Sequence, residues 1–385
     1  MPKFSASLHS KLPRVGTTIF SKMSALAAAE NAVNLSQGFP DFDCSPKLIE
    51  LVYHYMKTAN NQYAPMPGIM ALRERIAQKT YDLYSGQYDP ETEITITAGA
   101  TQAIFTAIAA TINEEDEVII FTPAYDCYEP AIEIVGGKPV YIELKAPDYH
   151  INWEEVKKVI NQRTKMIIIN TPHNPTGSIM NGQDLMQLEK LTDKSDILVL
   201  SDEVYEHILF DGYEHQSVAR FPKLASRSFI ISSFGKTYHT TGWKIGYCLA
   251  PKALMAEFRK THQYNVFSVN TPIQMAYADF LADQVAYLNL RHFYQEKRDL
   301  FKSLVEGSRF STMHTAGSYF QLLGYEKISD EPDVDFAVRL TKEYKLASIP
   351  VSVFYNRKTD NKVLRFCFAK QNETLMQAAE IINRI

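Results

Sequence analysis

The sequence lacks the features that place a protein at a membrane or on a nucleic acid. None of its 385 residues belongs to an apolar run long enough to span a bilayer, and the start, Met1 to Ser5, has no apolar core of a secretion signal. The net charge is -4 and the basic residues are dispersed, so no basic patch is expected. These absences predict a cytoplasmic protein with no nucleic-acid or membrane partner.

Cysteine is also scarce, and no C-x-x-C pair occurs. The four cysteines are Cys44, Cys127, Cys248 and Cys367. Such scattering argues against a zinc knuckle or a disulfide framework, so reduced thiols are expected. His207 and His215 lack a cysteine or carboxylate partner at ligand spacing. The sequence therefore predicts no metal site.

A glycine is missing where a nucleotide phosphate loop would need one. Gly235-Lys236-Thr237 could end such a loop, but the required earlier glycine is replaced by Ile230. The segment has other chemistry, because Lys236 lies among a hydroxyl, glycines and a second cation, Lys244, just after an apolar run.

This surrounding suits a lysine that holds a phosphorylated aldehyde cofactor in a Schiff base. Such a lysine must lose its proton near neutral pH, which requires burial or nearby positive charge, and the cofactor phosphate requires hydroxyls, amides and a cation. An ordinary solvated lysine is the alternative for Lys236 taken alone.

The hydrophobic content of 45% over this length predicts a large core in two domains. From about residue 45 to 250, short β-rich runs alternate with helical segments, which predicts an α/β fold with a mostly parallel sheet covered on both faces. Residues 286–385 are expected to form a smaller α+β domain, residues 45–285 the large domain, and residues 1–44 an N-terminal arm that completes the small domain. A last amphipathic helix is predicted to be capped by Asn372 or Thr374.

Three polar residues follow predicted parallel strands directly. Asn174, Asp202 and Lys236 each lie just beyond a strand's carboxyl end, and ligands of open α/β sheets bind in the crevice there. The fold is therefore expected to gather them. Asp202 would need a cationic partner such as a protonated pyridine nitrogen, although a helix N-cap is the alternative. Tyr205 and Asn174 could reach the phenolic oxygen of the cofactor, although Asn-Pro-Thr-Gly also marks plain turns.

Further candidates could hold the anionic groups of a ligand. The turn 97–101 joins a strand to a helix N-terminus and is predicted to seat a phosphate. Tyr125 could stack on a cofactor ring or be a core tyrosine. Arg365 lies inside an apolar strand, where a guanidinium must meet an anion, either a substrate carboxylate or a structural salt bridge.

These motifs, in this order, resemble the class I aminotransferases of the pyridoxal phosphate fold type I family over nearly the whole chain. Residues 34–42, 61–63, 170–177, 201–207 and 232–238 look most like the kynurenine and methionine aminotransferase branch. The resemblance implies a large domain with a mostly parallel seven-stranded sheet, a smaller α+β domain, and pyridoxal 5'-phosphate as cofactor.

The resemblance also implies roles for residues. Lys236 would form the Schiff base and shuttle the substrate proton, with Asp202 on the pyridinium. Other implied cofactor contacts are Gly99, Ala100, Thr101, Tyr125, Asn174, Tyr205, Ser233 and Lys244. Many family members carry arginine at Lys244, so phosphate contact there should be less fixed in geometry.

The implied substrate site has two parts. Arg365, Asn174 and the backbone of Gly38 would bind the substrate carboxylate, while the apolar candidates include Phe20 and Phe39. Tyr63 would reach the cofactor phosphate of a neighbouring subunit, which implies a homodimer with shared active sites.

The implied reaction is ping-pong transfer of an amino group to a 2-oxo acid. No obvious second arginine awaits a side-chain carboxylate, so methionine is the expected donor, with phenylalanine, histidine, tyrosine, kynurenine or glutamine also possible. A β-lyase acting on cysteine S-conjugates or cystathionine is the alternative, because the same carbanion can expel a leaving group. A non-catalytic regulator is disfavoured, since the chain has no room for an added DNA-binding domain.

Overall fold

A computed structural model describes residues 7–385. Residues 1–6, the start of the predicted N-terminal arm and the segment assessed for a secretion signal, lie outside the described residues. The strands are β1 (Val33–Asn34), β2 (Ile94–Thr97), β3 (Glu117–Thr122), β4 (Lys138–Glu143), β5 (Thr164–Asn170), β6 (Leu198–Asp202), β7 (Ser228–Ser233), β8 (Gly246–Leu249), β9 (Ser311–Thr312), β10 (Phe320–Gly324), β11 (Leu346–Ala347), β12 (Ile349–Pro350) and β13 (Val363–Cys367).

Helices alternate with these strands through most of the chain. They are α1 (Ile19–Ala29), α2 (Pro46–Lys57), α3 (Met70–Tyr84), α4 (Ala100–Thr111), α5 (Tyr128–Ile134), α6 (Trp153–Val159), α7 (Gly182–Thr192), α8 (Pro222–Ala225), α9 (Phe234–Thr237), α10 (Lys252–Asn265), α11 (Thr271–Phe280), α12 (Val285–Leu288), α13 (Leu290–Val305), α14 (Asp333–Tyr344) and α15 (Asn372–Ile382). Short 3-10 turns span Val218–Arg220, Thr241–Trp243 and Ser352–Phe354.

The large sheet of the described chain has seven strands in the order β2-β8-β7-β6-β5-β3-β4. Strands β4, β3, β5, β6 and β7 run parallel, whereas β8 is antiparallel to both of its neighbours, β7 and β2. The parallel order brings the carboxyl ends of β5, β6 and β7 side by side. The predicted fold class, an α/β chain with a mostly parallel seven-stranded sheet and a smaller α+β part, is confirmed.

Successive residues of the parallel strands are buried on opposite faces of this sheet. In β3, Val118 and Ile120 join one apolar cluster, while Ile119 and Phe121 join another. Side chains alternate along a strand, so a strand covered by helices on both faces must be apolar throughout. This explains the uninterrupted apolar runs in the sequence.

A second sheet forms after the large one in the chain. Its order is β12-β13-β10-β9, with antiparallel pairing throughout, and it packs in a separate apolar cluster that includes Phe336 of α14. Near the N-terminus, β1 pairs in parallel with β11, so the start of the described chain joins elements from its end.

The predicted cap of the last helix is wrong. Helix α15 begins at Asn372 after Gln371, which makes no side-chain capping bond. Asp41 supplies the acceptors instead, because its carboxylate accepts from the backbone N–H of Gln371 at 2.6 Å and from the Thr374 hydroxyl at 2.7 Å. The cap thus comes from a residue far away in sequence.

One ion pair lies deep beneath the large sheet. Lys79 of α3 donates to Glu206 Oε1 at 2.6 Å, and both side chains are 4% exposed. Three hydroxyls also donate to the Glu206 carboxylate, those of Tyr84, Ser232 and Tyr247. Burial alone would raise the pKa of Glu206, but the Lys79 ammonium lowers it below its usual range. This buried network ties α3 to β7 and β8.

No helix formed by residues 7–385 combines the length and apolar character needed to cross a membrane.

Removal of one charge from this network should destabilise the fold. Lys79→Met leaves the Glu206 carboxylate buried without its cation, so the free energy of unfolding should fall by about 3 to 5 kcal/mol in urea titrations. Lys79→Met combined with Glu206→Gln removes both charges and keeps an oxygen for the hydroxyls, so it should lose less than Lys79→Met alone. A double variant that loses as much stability as Lys79→Met alone, or more, would contradict this account.

Candidate active site

A cavity of about 300 Å³ opens at the carboxyl ends of the parallel strands. It gathers residues that the sequence predicts as neighbours although they are far apart along the chain. The predicted residues that line it are Phe20, Gly38, Gly99, Ala100, Thr101, Tyr125, Asn174, Asp202, Tyr205, Ser233, Lys236, Lys244 and Arg365. The fold therefore brings most of the predicted set to one place.

Lys236 lies in the short helix α9, which begins directly after β7. Its Nζ donates to the backbone oxygen of Gly38 at 2.9 Å and to the Tyr319 hydroxyl at 2.7 Å. Burial lowers the pKa of Lys236 to about 8, and the positive charges of Arg365 and Lys244 act in the same direction. An ordinary solvated lysine does not fit these contacts. The amine is close to losing its proton at neutral pH.

Asp202 ends strand β6 and is 3% exposed. Its Oδ2 accepts from the Tyr128 hydroxyl at 2.6 Å, and its Oδ1 accepts from the backbone N–H of Val204 at 3.3 Å. A turn, not a helix, follows, so the alternative of a helix N-cap does not hold. Burial raises the pKa of Asp202 to about 6. A cation placed beside this carboxylate would stabilise its ionised form.

Helix α4 begins at the predicted phosphate turn. Gly99 precedes it with φ +78, a left-handed conformation that favours glycine, and a Cβ there would lie 3.3 Å from Lys244 Nζ. Strand β8 approaches just as closely, because a Cβ on Gly246 would lie 2.9 Å from the Gly99 carbonyl carbon. The first amides of α4 and the Lys244 ammonium thus share one corner of the cavity.

Arg365 is 1% exposed in the middle of β13. Its Nη1 donates to Asn174 Oδ1 at 2.7 Å and its Nη2 to the backbone oxygen of Ser36 at 3.1 Å. Its Nε is buried and has no partner among residues 7–385. Both bonds go to neutral oxygens, so a structural salt bridge does not account for this guanidinium. It retains capacity for an anion.

Two predicted residues do not line the cavity. Tyr63 is 81% exposed and its ring lies 5.2 Å from that of Phe267. Phe39 is 45% exposed, and its backbone oxygen accepts from Lys370. Their predicted roles stay predictions.

The turn after β6 has two faces. Asp202 and Tyr205 line the cavity, whereas Glu203 pairs with His215 and Glu206 pairs with Lys79 in the buried network. His215 lies 2.8 Å from Glu203 Oε2, and the Glu203 Oε1 accepts from Ser201. Because Glu206 is bonded to Lys79 and to three hydroxyls, the turn that carries Tyr205 is anchored on the side away from the cavity.

Sequence reasoning missed several residues of the site. Tyr128 holds Asp202, Tyr319 contacts Lys236, and Phe320 lies 3.9 Å from the Arg365 guanidinium. Tyr128 follows Tyr125, a predicted cofactor contact, by only three residues, and this closeness in sequence is a signal that could have found it. For Tyr319 no local signal exists, because its partner Gly38 lies 281 residues away.

The donor set fits pyridoxal phosphate. A phosphate could lie at the corner formed by the α4 amides, Ser233 and Lys244, and a ring nitrogen could face Asp202. The unpartnered Nε of Arg365 suits a carboxylate. Among residues 7–385, no group of three or more His, Cys, Asp or Glu side chains is placed to hold a metal ion.

Comparison with known proteins agrees with this geometry. Residues 30–382 match the family described as Aminotransferase class I and II. The chain is 48% identical over 378 residues to the methionine aminotransferase of Escherichia coli, covering 98% of each sequence. It is 35% identical to human kynurenine–oxoglutarate transaminase 3, covering 97% of this chain and 89% of that protein.

A solved structure is similar over the same length. The crystal structure of YbdL from Escherichia coli, reported to identify a methionine aminotransferase function, superposes with a TM-score of 0.97 at 47% identity. The similarity covers 99% of this chain and 100% of YbdL.

The pH dependence of stability should reveal the Asp202 carboxyl in protein freed of cofactor. Its pKa is raised from 3.8 to about 6, so its contribution to stability is fully present below about pH 4 and is lost as the pH rises through 6. Asp202→Asn has no proton to lose there. Between about pH 4 and pH 7, the variant should gain about 3 kcal/mol relative to the parent protein in urea unfolding. A difference that stays constant over this range would contradict the assignment.

Proposed function

Because the chain belongs to the class I and II aminotransferases, which act with pyridoxal phosphate, we propose that it transfers the amino group of an apolar or aromatic L-amino acid, methionine foremost, to a 2-oxo acid. Family membership makes it a pyridoxal-phosphate-dependent aminotransferase whose substrates are an amino acid and a 2-oxo acid. What we propose beyond family membership is which substrate side chain the enzyme accepts and which residues bind the cofactor, bind the substrate and transfer the proton.

Lys236 is the proposed catalytic amine. Bound pyridoxal phosphate supplies an aldehyde that condenses with amines and a ring that accepts the electrons released when the α-carbon–hydrogen bond breaks. With a pKa of about 8 caused by burial, Lys236 Nζ is available as a base near neutral pH. In the first half of the reaction, Nζ would take the proton from the α-carbon of the amino acid donor. In the second half, it would return a proton to the α-carbon derived from the oxo acid acceptor. The first product leaves before the oxo acid binds, which makes the kinetics ping-pong.

Four residues are proposed to orient the ring. Asp202, held by Tyr128, keeps the ring nitrogen protonated because a buried carboxylate favours a cation beside it. Tyr205 and Asn174 bond the phenolic oxygen. Tyr125, which lines the cavity, stacks on the ring.

The phosphate is proposed to lie at the N-terminus of α4. Gly99, Ala100 and Thr101 provide amides and a hydroxyl there, and Ser233 adds another hydroxyl. Lys244 supplies the positive charge as a point cation, without the planar fork of an arginine.

The observation that carries the proposal is the small number of cations in the cavity, which favours a substrate with an apolar side chain. Within residues 7–385, the lysines and arginines that line it are Lys236, Lys244 and Arg365. The proposed roles occupy each one: base, phosphate partner and partner of the α-carboxylate. None is left for a second carboxylate, whereas Phe20 and Phe320 offer apolar surface.

We also propose a homodimer with shared active sites. Tyr63 and Phe267 form an exposed aromatic pair, and Ile49, Tyr53 and Met56 form an exposed apolar stripe along α2. Such a surface is typical of protein contacts. In the dimer, Tyr63 would reach the cofactor phosphate of the neighbouring subunit, and Phe39 would lie near the substrate.

The domain boundaries and location are proposals of the same kind. Residues 45–285 would form the cofactor-binding domain and residues 286–385 the small domain, which residues 1–44 complete. The pairing of β1 with β11 supports this division. A cytoplasmic location is supported by the four cysteines, all of which are free thiols.

Loss of the Lys236 amine should abolish proton transfer. Lys236→Ala is expected to lower kcat by about 10² to 10⁴ or more, since a positioned base contributes that much. Lys297→Met is a matched control, because Lys297 is also a largely buried lysine but its Nζ donates to the Lys370 backbone oxygen, away from the cavity lining. Near-normal turnover in Lys236→Ala would overturn the role.

The preference among amino acid substrates should reflect the lack of a cation for a second carboxylate in the described cavity. The value of kcat/KM for methionine is expected to exceed that for aspartate by about 100-fold or more, because a second carboxylate would be buried without a partner. Phenylalanine, tyrosine, histidine, kynurenine and glutamine, assayed with the same oxo acid, should lie between the two. A clear preference for aspartate would refute the proposed specificity.

A further inference from the structure

We propose that Tyr319 is a further catalytic residue, whose hydroxyl holds Lys236 Nζ whenever this amine is not bonded to the cofactor. The inference rests on the proposed role of Lys236. It concerns a tyrosine that precedes strand β10 and that no motif of the sequence singles out.

The contact between the two side chains is direct. Lys236 Nζ donates to the Tyr319 hydroxyl oxygen at 2.7 Å and to the Gly38 backbone oxygen at 2.9 Å. The Tyr319 hydroxyl in turn donates to the same Gly38 oxygen. The three groups form a closed triangle, so the amine has two defined acceptors and its remaining direction is left for the reaction.

The backbone around Tyr319 leaves it little freedom. Ser318, directly before it, has φ +63, and its N–H donates to the backbone oxygen of Ile208 at 2.9 Å. A Cβ on Gly317 would lie 2.7 Å from Pro172 Cβ, so the chain passes tightly beside the segment that carries Asn174. The backbone oxygen of Tyr319 accepts from the N–H of Phe368. A left-handed residue held in this way aims the following side chain.

The ring of Tyr319 is packed among aromatic neighbours. The residue is 0% exposed, and its ring meets Tyr205 edge-on at 5.2 Å and Phe320 at 5.0 Å. Burial raises the pKa of Tyr319 well above its usual range, so the hydroxyl stays neutral. A neutral hydroxyl can accept from an ammonium or donate to a free amine, and it can serve Lys236 in both states.

The remaining groups around Lys236 cannot take this role. The charged and titratable side chains that act on its amine from the neighbouring elements are Cys367, Arg365, Lys244 and Asp202. The two cations among them disfavour the protonated amine, and Asp202 is bonded to Tyr128 and Val204. Tyr205 faces the amine with its ring, at 5.8 Å from the centroid. The Tyr319 hydroxyl and the Gly38 oxygen are thus the direct acceptors for an ammonium at this position.

The consequence concerns the transferred proton. When the α-carbon–hydrogen bond breaks, its proton goes to Nζ, and the resulting ammonium is stabilised by donation to Tyr319 and Gly38. Because a hydrogen bond to a charged group is stronger than one between neutral groups, loss of this acceptor should slow the proton transfer by about 10- to 100-fold.

Tyr319→Phe tests the inference, with Tyr294→Phe as the matched control. Tyr294 is equally buried and its ring lies 5.7 Å from that of Tyr319, but its hydroxyl has no partner among the described residues. The first measurement is the rate at which each cofactor-free protein recombines with pyridoxal phosphate between about pH 6 and pH 9, which reports the unprotonated fraction of the amine. In Tyr319→Phe the ammonium has lost an acceptor, so the inflection should move to lower pH, whereas Tyr294→Phe should match the parent protein.

The second measurement is the single-turnover reaction of the loaded enzyme with methionine. Tyr319→Phe should lower its rate constant by about 10- to 100-fold while the apparent dissociation constant of methionine stays unchanged. An unmoved inflection, an unchanged rate constant, or equal changes in both variants would overturn the inference, since a merely structural role predicts these.

Failure of the proposed function can be distinguished from failure of the inference about Tyr319. If cofactor-free Lys236→Ala recombined with pyridoxal phosphate and turned over like the parent protein, Lys236 would not be the amine at all. If Lys236→Ala is inactive while Tyr319→Phe behaves like the parent, only the role of Tyr319 is lost.

Discussion

The site depends on keeping a buried carboxylate and a buried amine close to the same cavity without pairing them with each other. Asp202 is bonded to the Tyr128 hydroxyl and to a backbone amide, and Lys236 to a hydroxyl and a carbonyl oxygen. Neutral partners leave both charges available. Burial shifts the two pKa values towards each other, to about 6 for Asp202 and about 8 for Lys236. A ligand with a protonatable ring and an aldehyde satisfies both groups at once.

The sheet makes this arrangement possible because its parallel strands end at one edge. Asp202 ends β6, Lys236 follows β7 by three residues, and Asn174 follows β5 by four. Behind this edge, the buried pair of Lys79 and Glu206 holds β7, β8 and the turn after β6 together. The same turn therefore presents Asp202 and Tyr205 to the cavity and anchors itself on the other side.

The sequence made the strand ends predictable, since uniformly apolar runs followed by a polar residue mark buried parallel strands. Much else was not predictable for a physical reason. The sequence offers no sign that β8 runs antiparallel between β7 and β2, because its pairing is set by distant partners. Lys79 and Glu206 lie 127 residues apart, and each alone is indistinguishable from a surface charge. The predicted cap of α15 is wrong for the same reason: the residue that supplies the acceptors, Asp41, lies 330 residues before Gln371, so no local pattern indicates it.

The central claim is that one amine, Lys236 Nζ, is the group that bonds the cofactor aldehyde. The most direct test is borohydride reduction of the loaded protein, followed by proteolysis and mass mapping of the pyridoxyl-modified peptide. The account predicts the modification on the peptide that contains Lys236, with stoichiometric loss of its unmodified form. Modification at Lys244, at Lys370 or at any other lysine, with Lys236 left unmodified, would contradict it.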